Sequence, residues 1–291
     1  MRASKNIYLF LVPGFILYSI FFLYPTVSAF FYSFTDWDGI SSEFDFVGVD
    51  NYIRAATNDS IFAQAVGNNL SFMLFVVIFQ TIFSLIFAII LIKNTKFNIF
   101  LRALFFFPTI LSSVSVAFIW SFIYDPSMGL LNTFLGISGL EALQQNWLGN
   151  QNIAIYSLAF TQVWFHTGQM LIIFVAGLHA IPNDLYEVAK IEGASKWQTF
   201  KKITWPLLAP SATIVVAYTT IQSFKAFDLI FATTRGGPNH STEIIATYIY
   251  EVAFRSYNFG YASSISVIFM VIIAIITYLQ FKVLRSDKVS Y

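Results

Sequence analysis

Apolar residues fall in long, nearly unbroken stretches along this chain, and polar residues collect between them. A helix that crosses the hydrocarbon of a bilayer needs about 20 mainly apolar residues. Six stretches reach that length, at roughly 7–33, 67–92, 101–124, 152–180, 208–232 and 262–284. Within the first, Pro13 and Pro25 predict a bend, because proline lacks a backbone donor and crowds the preceding turn. Gln80, Gln162, Gln169 and Gln222 interrupt the apolar runs without ending them. The opening run follows Arg2 and Lys5 as a secretion signal would. It exceeds the roughly 7–15 apolar residues of such a signal and shows no small-residue cleavage site, so it reads as a retained anchor. The intervening stretches 34–66, 125–150 and 233–261 have room for short helices, and "PSMGLLNTFLG" and "WLGNQN" read as a lid or vestibule segment.

Composition sharpens this to an all-α, polytopic integral membrane protein. Hydrophobic residues make up 57% of the 291 and charged residues 11%, against about a quarter charged in a soluble domain. So few charges cannot wet the surface of a soluble core. No internal repeat or disordered linker divides the chain, so 1–291 is read as a single membrane domain. Six crossings put both termini on one side, and the charges sort accordingly. Arg2, Lys5, Lys93, Lys96, Arg102, Lys190, Lys196, Lys201, Lys202, Lys282, Arg285 and Lys288 fall on the side of the termini. The opposite loops hold Arg54, Arg235 and Arg255 among the acids Asp36, Asp38, Glu43, Asp45, Asp50, Asp59, Asp125, Glu141, Glu243 and Glu251. The positive-inside rule therefore makes both termini cytoplasmic. A net charge of +1, with no basic run, argues against an electrostatic nucleic-acid partner. The chain has no cysteine, which removes disulfides and thiolate metal sites, and His166, His179 and His240 form no ligand cluster.

One cytosolic stretch breaks the pattern: "LYEVAKIEGASKWQTFKKITWPLLAP", Leu185 to Pro210. Asp184 and Glu187 predict a capping box that opens a helix after Pro182, and Gly193 predicts its left-handed stop. Ser195 and Gln198 predict a second box ahead of Phe200, Lys201 and Lys202, and Pro206 and Pro210 mark the return into the bilayer. The expected form is helix, glycine elbow, helix, hung beneath the membrane between the fourth and fifth spans. An amphipathic linker lying on lipid is the plainer reading. Against it, Asp184, Glu187 and Glu192 would face anionic headgroups, whereas an acidic and apolar helix suits a protein groove.

The segment "EVAKIEGASKWQTFKKITWPLLAP" resembles the EAA motif of permease subunits in ATP-binding-cassette importers. Glu187, Ala189, Gly193, Ala194, Phe200, Pro206, Leu207, Leu208 and Pro210 fall on its pattern; Val188 and Glu192 depart from it by small changes. "ATTRGGPNHSTEIIATYIYEVAF", "YSFTDWDGI" and "FVGVDNYIRA" are similar to loops of the carbohydrate branch, the relatives of maltose and glycerol-phosphate permeases. The likeness runs from Pro13 to about Ser266. It implies a type I importer permease fold in a bacterial or archaeal plasma membrane. It also implies a second permease subunit, an extracytoplasmic solute-binding protein that delivers sugar, and a cytosolic ATPase dimer whose groove takes Leu185, Tyr186, Glu187, Ala189, Glu192, Gly193 and Ala194. The chain itself has no phosphate-binding G-x-x-x-x-G-K-[ST] loop, so ATP and Mg are expected on that ATPase and no cofactor on this chain.

For the substrate path, polar residues inside spans are the candidates, because they are costly in lipid. Gln162, Phe165, His166 and Gln169 recur at i, i+3, i+4 and i+7, a stripe of hydrogen-bonding groups around one aromatic of the kind a sugar uses. Equally, such residues bond neighbouring helices. The fifth span adds Gln222, Ser223, Lys225 and Asp228, the last two spaced to neutralise each other. Lys225 and Asp228 also leave open a stand-alone ion- or proton-coupled carrier. Trp37, Trp120, Trp147 and Trp164 are expected at the interfacial belts, with Trp164 placed beside the stripe.

Overall fold

The computed structural model describes residues 10–284; Arg2, Lys5, Arg285, Lys288 and the start of the first predicted span lie outside the described residues. Its helices follow in chain order: α1 Val12–Tyr32, α2 Asp50–Thr57, α3 Ser60–Ile90, α4 Lys96–Phe106, α5 Ser113–Ile123 and α6 Leu130–Ile137. After these come α7 Ala154–His179, α8 Asn183–Ile191, α9 Lys196–Phe224, α10 Phe227–Thr233, α11 Ile245–Tyr250 and α12 Phe259–Leu284. The extended pairing among the described residues is a single bridge, Thr35 to Phe46. The all-α expectation holds, and the loops expected to carry short helices hold α2, α6 and α11. By length and composition α1, α3, α7, α9 and α12 are each fit to cross a membrane.

The third and fifth predicted spans need correction. The stretch 101–124 is not one helix. A 3-10 turn at Phe107–Ile110 and an extended Ser112 separate Lys96–Ile110 from Ser113–Ile123, and the two parts are bent by 100°. Pro108 has no N–H for a continuing helix, and the Ser112 hydroxyl accepts from the Ser115 N–H at 3.2 Å to start a new one. The fifth span ends at Phe224 and starts as early as Lys196; residues after Lys225 turn into the separate α10.

Prolines are absorbed in a repeated way. A π turn at Ser19–Leu23 immediately precedes the helical turn that holds Pro25, and another at Phe200–Thr204 precedes the turn that holds Pro206. Widening the helix before a proline relieves the clash of its ring with the carbonyl four residues back. Pro210 is then carried inside α9. Neither Pro206 nor Pro210 ends the helix, so the punctuation expected there becomes a continuous rod.

Two compact units make up the described chain, 10–63 with 248–272, and 64–247 with 273–284. In the first, Asp59 is the joining residue. Its Oδ1 accepts from the Phe62 N–H at 2.8 Å at the start of α3, and its Oδ2 accepts from the Tyr248 and Tyr261 hydroxyls at 2.6 and 2.5 Å. Burial by itself would raise the Asp59 pKa, but the two hydroxyls, the Phe62 N–H and Arg54 together hold it below the usual carboxylate value. Arg54 lies over the Tyr261 ring, 4.0 Å from its centroid.

The second unit is built around α7. Met170, Leu171, Phe174 and Leu178 of α7 pack with Ala88 of α3 and with Leu208, Ala212 and Val215 of α9. Higher on α7, Leu158, Ala159 and Val163 pack with Phe72 and Val76 of α3 and Ile230 of α10. Two glycines let backbones come close. A Cβ at Gly168 would stand 2.0 Å from the Phe105 carbonyl oxygen of α4, and one at Gly177 would stand 2.1 Å from Ser211 Oγ of α9. Small residues at helix interfaces are how membrane helices associate tightly. In the loop before α7, Asn132 bonds four ways: its amide donates to the Pro126 and Gln145 carbonyls, and its oxygen accepts from the Gln145 N–H and Trp147 Nε1.

Candidate functional site

The cytosolic segment takes its shape from local chemistry. α8 begins at Asn183 after Pro182, which contributes no side-chain cap. Asp184 was expected as the cap, but it already lies in the first turn, where its charge faces the positive end of the helix without closing a box. The exit is a full Schellman motif: the Gly193 N–H donates to the Lys190 carbonyl at 3.2 Å and the Ala194 N–H to the Ala189 carbonyl at 2.9 Å, with Gly193 at φ +73°. The second box forms as expected. Gln198 N–H donates to Ser195 Oγ, and Ser195 N–H donates to Gln198 Oε1 at 2.7 Å.

α8 is thereby fixed in orientation. On its inner side Ala189 is buried, Tyr186 packs against the α3–α7–α9 core, and the Tyr186 and Thr204 hydroxyls lie 3.2 Å apart. On its outer side Leu185, Glu187, Val188 and Glu192 are exposed, and Ile191 is 85% exposed. A recess of about 450 Å³ beside the elbow is lined in part by Leu185, Val188, Glu192, Gly193 and Ala194. The sequence-predicted coupling residues thus sit together on one short, rigidly held helix and its elbow.

The candidate path residues divide. A cavity of about 410 Å³ is lined by Gln162 and His166 of α7, Tyr218, Ile221 and Gln222 of α9, Lys225, Ala226, Asp228 and Leu229 around the break before α10, and Ser113 of α5. His166 Nδ1 and Gln222 Oε1 are buried and meet no hydrogen-bond partner of good geometry among the described residues. Phe165 and Gln169 leave this group. At about 100° per residue Phe165 stands about 60° off Gln162, and it packs into a core with Val116, Ala117, Trp120 and Leu229. Gln169 donates to the Tyr218 hydroxyl at 3.1 Å, a bond between α7 and α9. Gln80 likewise donates to Thr219 Oγ1. Ser223 is fully buried and donates to the Thr219 carbonyl within α9. Some of the in-span polar residues are therefore glue between helices, and the others face a cavity.

Lys225 and Asp228 form no salt bridge among the described residues, contrary to their spacing. The spacing argument needs one continuous helix, but α9 ends at Phe224 with Lys225 as its cap and Asp228 belongs to the separate α10. Trp120 is buried in the core rather than at a belt, and Trp164 lines an apolar recess with Phe83 and Phe160, away from the polar cavity. Tyr218 and Ser113 were missed. Tyr218 was visible as the i−4 neighbour of Gln222, whereas Ser113 enters only through the break after Pro108. On the side opposite α8, the loop 233–244 is tied to α3: the Asn68 amide donates to the His240 and Glu243 carbonyls at 2.8 and 2.9 Å. There the Glu243 side chain is buried against Gly236 and bonded to His240 Nδ1 at 3.1 Å.

Helices fit to cross a membrane, a polar cavity among α5, α7, α9 and α10 and a short helix held beneath them are the layout of a multi-pass membrane protein. Comparison with known proteins gives the family. Residues 55–287 match the family described as Binding-protein-dependent transport system inner membrane component, and this chain belongs to it. It is 36% identical over 280 residues to the multiple sugar-binding transport system permease protein MsmF of Streptococcus mutans, covering 96% of this chain and 95% of that one. It is 34% identical over 287 residues to the trehalose/maltose transport system permease protein MalF of Thermococcus litoralis, covering 98% and 95%. The crystal structure of a bacterial transporter that imports alginate contains a chain with the same fold, at a TM-score of 0.83 and 20% identity, over 98% of this chain and 96% of that one. The protein is a multi-pass component of a bacterial or archaeal cell membrane.

Proposed function

We propose that this chain is the permease subunit of a sugar or oligosaccharide importer and that it works as a lever. A second permease subunit completes the translocation path, an extracytoplasmic binding protein delivers the sugar, and a cytosolic ATPase dimer binds ATP and Mg and supplies the work. This chain holds no cofactor. Closure of the ATPases moves α8; α8 is joined through Tyr186 to Thr204 and to the core of α7 and α9, so both spans tilt with it. Gln162, His166 and Gln222 then face first one side of the membrane and then the other. Their amides and imidazole match sugar hydroxyls, and Tyr218 offers the ring face.

The single observation that carries this reading is α8: its inner face is fastened to the spans while Leu185, Glu187, Val188 and Ile191 stand exposed with no partner in the core. The sugar class rests on the relatives named above and on the neutral hydrogen-bonding groups of the cavity. The test is uptake in cells that carry the whole importer. Glu187→Ala and Gly193→Pro should abolish energised uptake while leaving normal amounts of protein in the membrane. Uptake at wild-type rates in both variants would sink the lever.

A further inference from the structure

Another recess, of about 520 Å³, lies on the inner side of α8, where the lever's Tyr186 and Thr204 also line it. Its apolar lining includes Ile89 near the end of α3, Ile92 just after it and Leu178 in the last turn of α7. Lys190 of α8 and Lys196 and Thr199 of the first turns of α9 also line it. No acid lines it, and neither lysine is in a salt bridge among the described residues.

A different observation fixes its depth. Along the start of α9 Trp197 stacks on Phe200 with ring centroids 5.7 Å apart, Phe200 meets Trp205 at a tilt at 6.3 Å, and both tryptophans are exposed. Tryptophan collects at the level of lipid headgroups. Lys201 and Lys202 lie on the same turns. Gly193 therefore divides two chemistries. Before it, α8 carries Asp184 and Glu187 with Glu192 at its end, and Lys190 is the one lysine among them; after it come Lys196, Lys201 and Lys202 with the aromatics, which headgroups attract.

We propose that this recess binds an anionic phospholipid of the cytoplasmic leaflet. An acyl chain lies on Ile89, Ile92 and Leu178, and the phosphate sits between the ammonium groups of Lys190 and Lys196. A zwitterionic lipid brings a further cation toward two lysines and is disfavoured. The proposal rests on the membrane topology and is independent of the sugar and of the ATPase.

The assembled transporter is placed in nanodiscs with equal phosphatidylglycerol and phosphatidylcholine, and lipid retained after transfer to detergent is counted by native mass spectrometry. Wild type is expected to retain phosphatidylglycerol selectively. The pair Lys190→Gln/Lys196→Gln should weaken retention by roughly thirty-fold, about 1 kcal/mol per lysine. The pair Lys93→Gln/Lys282→Gln, with equal charge loss on the same side, should keep it, and Lys190→Arg/Lys196→Arg should restore it; monodisperse elution of every variant checks the fold. Retention that is unselective in wild type, or unchanged in the Lys190→Gln/Lys196→Gln pair, overturns the proposal. So does displacement of the lipid by millimolar inorganic phosphate, which would make this a site for free phosphate.

Discussion

The first span and the fourth have similar mean hydropathy, 1.6 for α1 and 1.3 for α7, yet 67% of the apolar window of α7 is buried within the chain and none of that of α1. Their interruptions differ. α7 carries Ser157, Thr161, Gln162, His166 and Thr167 together with Gly168 and Gly177, while α1 shows phenylalanine, leucine and tyrosine around its circumference. In lipid, apolar side chains supply no drive to associate, because the acyl tails are as apolar as leucine. Close backbones and polar groups decide which helices pack. α7 becomes the axis of its unit, whereas α1 keeps an exposed apolar surface.

Paired substitutions break or sharpen this contrast. The largest effect is expected for Gly168→Leu, whose first side-chain carbon collides with the Phe105 carbonyl, a backbone atom that cannot swing aside. It should cost about 3 kcal/mol and aggregate the protein in detergent. Gly14→Leu on α1, with nothing within 4 Å, should change the melting temperature little. Next comes Phe174→Ala, fully buried, at about 2 kcal/mol for the cavity left behind, the water-transfer part being absent in lipid. Phe21→Ala, 75% exposed on α1, should be near neutral in the same thermal assay. Gly193→Ala should cost about 1–2 kcal/mol of strain confined to the elbow, because the space around it is open and only its positive φ resists a side chain. The smallest stability change is expected for His166→Leu/Gln222→Leu, within about 0.5 kcal/mol, since His166 Nδ1 and Gln222 Oε1 meet no hydrogen-bond partner of good geometry among the described residues. Uptake should nonetheless fall at least tenfold, and unchanged uptake would remove this cavity from the path.

The same contrast shows what the sequence made legible. The elbow was readable almost to the residue because caps and a left-handed glycine act over a few neighbours: Ser195–Gln198 and Gly193 formed as expected, and Asp184 failed only because the helix opens two residues earlier, directly after Pro182. The existence of the spans was readable from length and hydropathy. Which side of α7 faces the cavity was not, because Phe165 and His166 differ by one residue and only the packing of α5 and α10 selects between them. The break at Pro108–Ser112 carried a signal, a proline followed by a capping serine, that a window of apolar residues averages away.

The central claim is that the exposed face of α8 is the point where an ATPase acts. The chain has no cysteine, so a single cysteine reports without background. Ile191→Cys on the outer face of α8 and Phe21→Cys on α1 can be crosslinked in membranes that carry the whole importer, with the captured subunit tested for ATP hydrolysis. The account expects Ile191→Cys to capture an ATPase with an efficiency that changes when nucleotide is bound, and Phe21→Cys to capture none. Capture of no ATPase from Ile191→Cys, in membranes where uptake is active, would contradict it.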